Sequence, residues 1–191
     1  RKYLGRECPR DRERFLDDLE LIRRRVDCSD FLLCGLLRYM HHYELDGELA
    51  ERVREVLLDY RYWMDMEGAD AMCFWSENHA LMFYASAMDA GSFYPEDYFT
   101  RAGMKGRELA LFGKRKVLEW LEDVENGGFE EFLSTVYMCV TLAALLNVVD
   151  FAEADISSRA RALTDRLVQE LCRQTFRGSV IAPMGRVYRE V

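Results

Sequence analysis

The chain has 191 residues, half of them hydrophobic and 31% charged, which is enough to bury one substantial core and far from a disordered composition. Its 26 basic and 34 acidic side chains leave a net charge of −8, a field that repels polyanions and sets nucleic acid aside as a partner. Three prolines and 12 glycines are too few turn residues for an all-β chain, so the composition favours helices.

Phe15, Leu19, Ile22 and Val26 recur at helical spacing and predict an amphipathic helix over about 10–26. From Asp30 to Tyr43 the chain is apolar on nearly every face, and the following stripe of Leu49, Val53, Val56, Leu57 and Tyr60 is backed by acidic and basic residues. This pair reads as a buried helix followed by an exposed one. The alternation returns over 76–90 and 104–124, where Val117, Trp120, Leu121 and Val124 form the apolar side. It returns again over 134–149 and 153–176, the last with Ile156, Ala160, Leu163, Leu167 and Leu171 on one face. Pro95-Glu96-Asp97 is expected to open a short extra helix. Beyond Phe176 the period stops, and 177–191 reads as extended chain, in which Arg186 and Tyr188 point the same way.

The three apolar helices are each expected to start on a serine N-cap, at Ser29, Ser76 and Ser134. The serines lie 47 and 58 residues apart, so the simplest architecture is a repeat of helical hairpins. The expectation is one all-α domain with hairpins at about 29–63, 76–124 and 134–176. Val136–Val149 is almost continuously apolar, but 14 residues reach only about 21 Å, short of a bilayer's ~30 Å, so no membrane span is expected. The six cysteines stand singly, which reads as buried free thiols in a reducing, cytoplasmic compartment. The chain opens on Arg1-Lys2-Tyr3 without methionine, so a processed form, or a piece of a parent chain carrying further hairpins, is expected.

Repeated hairpins with buried inner helices point to an (α/α) toroid-like arc whose inner-helix N-termini ring a cleft. There the sequence places Glu77, Asn78 and His79 on one helix and Tyr137 on another. An imidazole and a phenol divide proton abstraction and leaving-group protonation between them. An asparagine draws charge from a carboxylate as an enolate forms, and Arg186, with Tyr188 beside it, offers a planar fork to the same carboxylate. These are the roles of a uronate β-elimination. A hydrolase would instead use Glu77 as general acid, and needs a second carboxylate. Trp75 and the neighbouring Tyr60, Tyr62, Trp63 and Phe74 form either a sugar-stacking platform or core. His41 and His42 are adjacent and so make a poor chelating pair, and no phosphate loop or dinucleotide fingerprint is present. Neither a metal nor another cofactor is implied.

Phe74-Trp75-Ser76-Glu77-Asn78-His79, with the downstream Tyr137, resembles the α/α-toroid polysaccharide lyases of the alginate-lyase and heparinase type. It is also similar to the wider six-hairpin glycosidase superfamily. The Ser-Glu-Asn-His helix start and the Gly-Arg-x-Tyr segment resemble most closely uncharacterised bacterial and fungal proteins, a likeness that carries no activity. The lyase resemblance implies that Asn78 neutralises a uronate carboxylate, that His79 takes the C5 proton and that Tyr137 protonates the leaving oxygen. Glu77 stands where those lyases have a further asparagine, and three hairpins make half of a six-hairpin ring. The implied partner is a uronate-containing glycan. The alternative is a non-catalytic helical-repeat domain that binds a glycan or a protein.

Overall fold

The computed structural model describes residues 10–181 and 183–186, and over them the chain is all-α. The helices are α1 (Asp11–Arg23), α2 (Ser29–His42), α3 (Gly47–Leu58), α4 (Glu77–Phe93), α5 (Gly106–Gly127), α6 (Tyr137–Phe151) and α7 (Ala154–Arg173). Two small antiparallel hairpins accompany them, β1 (Tyr98–Phe99) with β2 (Met104–Lys105) between α4 and α5, and β3 (Thr175–Phe176) with β4 (Ser179–Val180) after α7. No helix among the described residues is long and apolar enough to cross a membrane.

The apolar helices α2, α4 and α6 alternate along the chain with the amphipathic α3, α5 and α7; α4 packs on α5 and α6 on α7, while α2 and α3 are both joined by α1. The three apolar helices run parallel. Asp30, at the start of α2, meets His79, at the start of α4, while at the far ends His41 reaches Asp89 and Phe93 of α4 and stacks on Phe151 of α6. The first and third inner helices also touch directly, through Asn147, whose Nδ2 donates to the Cys34 carbonyl at 2.9 Å. The three inner N-termini are therefore gathered at one end of a packed bundle.

Two apolar clusters hold this arrangement. One, built on Leu33, Leu37, Val53, Leu57, Tyr60, Tyr62 and Phe83, lies under α1–α3 and one face of α4. The other, with Leu81, Val117, Leu121, Leu145, Val148, Ile156 and Leu163, fills the space between α4–α7. Each large aliphatic side chain removed from water contributes about 2 kcal/mol. Helix α4 packs on α2, α5 and α6, which is why its sequence is apolar all round. Outer helices α3, α5 and α7 bury a single stripe each.

The structure corrects three expectations. No helix starts at Pro95. Its carbonyl accepts from Arg107 N and that of Asp97 from Gly106 N, both at 2.9 Å, so this stretch instead supplies acceptors for the first N–H groups of α5. Only Ser134 makes a cap-type bond, accepting from Tyr137 N at 3.3 Å. Ser29 is already helical and its hydroxyl bonds Tyr60; Ser76 is the N-cap residue of α4, as expected, but its hydroxyl is taken by the Asn78 side chain and not by a backbone N–H. Among the described cysteines, Cys34 is buried and Cys73 half-buried, but Cys28, Cys139 and Cys172 are exposed.

Candidate functional site

The end of the bundle where α2, α4 and α6 begin collects most of the residues singled out in the sequence. His79 lies in the first turn of α4, 4% exposed. Its Nδ1 is 2.6 Å from Oδ2 of Asp30, itself 1% exposed, and its ring stacks on Phe31 with centroids 4.9 Å apart. In the tautomer that donates to Asp30 the proton sits on Nδ1, and Nε2 is then the ring's acceptor. Nε2 makes no hydrogen bond among the described residues. Burial pushes the Asp30 carboxyl above the usual carboxylate range, and the contact with His79 opposes that rise.

Glu77 and Glu131 tie α4 to the turn over 129–133 by exchanging caps. The Glu77 carboxylate accepts from the backbone N–H groups of Glu130 and Glu131 at 2.9 and 3.1 Å. Glu131, also buried, accepts from Asn78 N at 3.2 Å. Each acid thus satisfies donors that a helix start or tight turn leaves open. The Glu77 carbonyl receives Trp120 Nε1 at 3.1 Å. Burial raises the Glu77 pKa, the two backbone donors oppose the rise, and the charges of Glu131 and Glu130 add to it.

Asn78 is fully buried, its side-chain amide 3.0 and 2.8 Å from the two oxygens of Glu131 and 2.9 Å from Ser76 Oγ. Only an amide nitrogen facing the carboxylate fits this arrangement. Arg186 reaches the same acid from the C-terminal segment, with Nη1 at 2.5 Å from Glu131 Oε1. Its guanidinium carbon lies 3.8 Å from the ring centroid of Tyr137, the half-buried first residue of α6, in cation–π contact.

The structure therefore brings Glu77, Asn78 and Arg186 together on Glu131, with Tyr137 against Arg186 and with His79 one residue further along α4 on its own partner, Asp30. Trp75, just before this helix, is 76% exposed. The other aromatics of its stretch divide differently, Tyr60, Tyr62 and Phe74 being core and Trp63 half-buried. Tyr188 lies outside the described residues. His41, at the opposite end, is a packing residue, stacked on Phe151 with centroids 3.8 Å apart. Two residues of this end, Asp30 and Glu131, were not singled out in the sequence. Asp30 sits in a helix first turn, where any acid is favoured by the dipole, and Glu131 in a turn with no periodic signal. Compared with known protein families, with curated proteins and with solved structures, the chain matches none.

Proposed function

We propose that the end of the bundle where the inner helices start is a glycan site and that its chemistry is β-elimination on a uronate. The observation that supports this reading is the Asp30–His79 pair, with Nδ1 held at 2.6 Å and Nε2 without a hydrogen bond among the described residues. An imidazole oriented by a buried carboxylate is a general base: the acid fixes the ring and stabilises the imidazolium that forms when Nε2 takes a proton. In this reading His79 takes the proton α to the uronate carboxylate, and Tyr137 returns a proton to the departing oxygen. Trp75 gives the sugar ring an exposed indole to stack on. Glu77, with its carboxylate spent on two backbone N–H groups, acts as a positioning residue for the turn.

The test is a panel of uronate polysaccharides followed by ultraviolet absorbance of the unsaturated product. Activity that falls about 100-fold or more in His79→Ala and Tyr137→Phe, with folding retained, supports elimination. The second reading is a non-catalytic glycan-binding or protein-binding domain, favoured by the way Glu77, Asn78 and Glu131 are consumed in joining α4 to the 129–133 turn. A silent panel, with reducing-end assays also flat, selects it.

A further inference from the structure

The site holds a carboxylate between a guanidinium and an amide, the guanidinium itself lying over an aromatic ring, and that carboxylate is the protein's own. We propose that Arg186 is a receptor for a ligand carboxylate whose resident occupant is Glu131, and that a uronate exchanges with Glu131 for Arg186, loosening the segment 183–186 from the turn beneath it. This rests on the reading of the inner-helix N-termini as a glycan site.

Three features carry the inference. The first is asymmetry of access, since the Arg186 side chain is 33% exposed and that of Glu131 only 6%. A ligand therefore reaches the cation without entering the core. The second is that Glu131 does not become a bare buried charge when Arg186 leaves. It keeps the Asn78 N–H at 3.2 Å and the Asn78 amide at 3.0 and 2.8 Å, so the exchange avoids the large cost of an uncompensated buried ion. The third is how the segment is fastened. Gly185 N donates to the Phe132 carbonyl at 2.8 Å, and a Cβ on Gly185 would lie 2.7 Å from the Glu130 carbonyl oxygen. The segment lies flush on the turn, with Arg186 on the turn's own acid.

The surroundings select the ligand class. Phe132, whose backbone meets Gly185, Val136, next to Tyr137, and Trp75, next to Ser76, are 42%, 37% and 76% exposed, apolar surface of the kind the face of a sugar ring packs on. A sugar acid brings a carboxylate for Arg186 as well as that face. A neutral sugar brings only the face and leaves Glu131 in place.

The experiment measures binding in a His79→Ala background, where no turnover interferes, with methyl glucuronide as probe and methyl glucoside as neutral control. Amide hydrogen exchange at Gly185 is followed alongside. The expected result is glucuronide binding at least about tenfold tighter than glucoside, faster Gly185 exchange on glucuronide addition, and a further tightening of about tenfold in Glu131→Gln, where the internal competitor has lost its charge. Arg186→Gln abolishes the preference for the acid. Equal binding of the two sugars, no binding of either, or glucuronide binding that leaves Gly185 exchange unchanged overturns the proposal. So does a folded Glu131→Gln that binds no more tightly, and the Gly185 measurement decides the matter if that variant does not fold. Acid-selective exchange with no elimination product removes the lyase chemistry and leaves this inference. Elimination without the exchange does the reverse.

Discussion

Asp30 Oδ2 and His79 Nδ1 stand 2.6 Å apart across the start of two parallel helices, 49 residues apart in sequence and both almost completely buried. A contact this short between a carboxylate and an imidazole sets which ring nitrogen carries the proton. Nitrogen-15 spectra of the imidazole are therefore expected to show His79 protonated at Nδ1. In Asp30→Ala the preference for that tautomer is lost, and any reaction that uses Nε2 slows by about 100-fold or more. Asp30→Asn, which keeps an acceptor, retains the tautomer and loses only the charge. Unchanged spectra in Asp30→Ala would remove Asp30 from any orienting role.

Glu77 gives a pH signature. Burial raises its pKa in the folded chain above its ordinary value, so the folded state binds its proton more readily than the unfolded state. Its contribution is most favourable below the ordinary carboxylate range and is lost as pH rises through the raised value. Replacing it with glutamine removes this dependence. The difference in Tm, Glu77→Gln minus parent, is expected to be more positive at pH 7 than at pH 4. Thermal melts across that interval check the sign, and a difference that falls with rising pH contradicts it.

The helices were legible because each is long and periodic, from the four-residue spacing of α7 to the all-round apolar runs that become α2, α4 and α6. The site was half legible. His79, Asn78, Tyr137 and Arg186 stand out by chemical type, but their partners do not. Glu131 meets Asn78 from 53 residues away, and nothing in a Gly-Gly-Phe-Glu-Glu-Phe turn marks one acid as buried and the other as solvated. The serines misled for a related reason. A hydroxyl at a helix start has an available local partner, yet Ser29 and Ser76 take Tyr60 and Asn78 instead, because the folded neighbours compete for the same hydrogen bond.

Close approach of α4 and α5 yields a third prediction. A Cβ on Gly113 would fall 2.4 Å from Met88 N and 2.7 Å from the Tyr84 carbonyl oxygen, and one on Gly91 2.4 Å from the Gly106 carbonyl oxygen. These obstacles are backbone atoms, so relief requires the helices to move apart. Gly113→Ala is expected to cost about 1–3 kcal/mol by denaturant unfolding, despite the better helix propensity of alanine. Gly35→Ala, with nothing within 4 Å of the added carbon, is the control and is expected to be neutral or stabilising. Equal effects at the two positions would show that α4 and α5 are not packed at backbone contact.

Asn147 decides whether α2 and α6 act as one unit. Its Nδ2 donates to the Cys34 carbonyl at 2.9 Å and contacts the thiol at 3.1 Å, and its Oδ1 receives Arg38 Nη1 at 3.0 Å. Arg38 also pairs with Asp150 one turn away on α6. Removing the amide in Asn147→Ala takes a partner from both Cys34 and Arg38 of α2, at a cost of about 1–3 kcal/mol. The loss has a local reporter. Burial pushes the Cys34 thiol up to about 12, so in the intact bundle it is shielded and almost entirely protonated, and a thiol reagent modifies it slowly. With Asn147 removed, α2 and α6 part more often. Peptide-mapped labelling at Cys34 is then expected to quicken by more than labelling at the exposed Cys139 and Cys172. If all three sites quicken by the same factor, Asn147 contributes only to global stability. A selective rise at Cys34 shows that the amide holds the first and third inner helices together, and through them the end of the bundle where Asp30 meets His79.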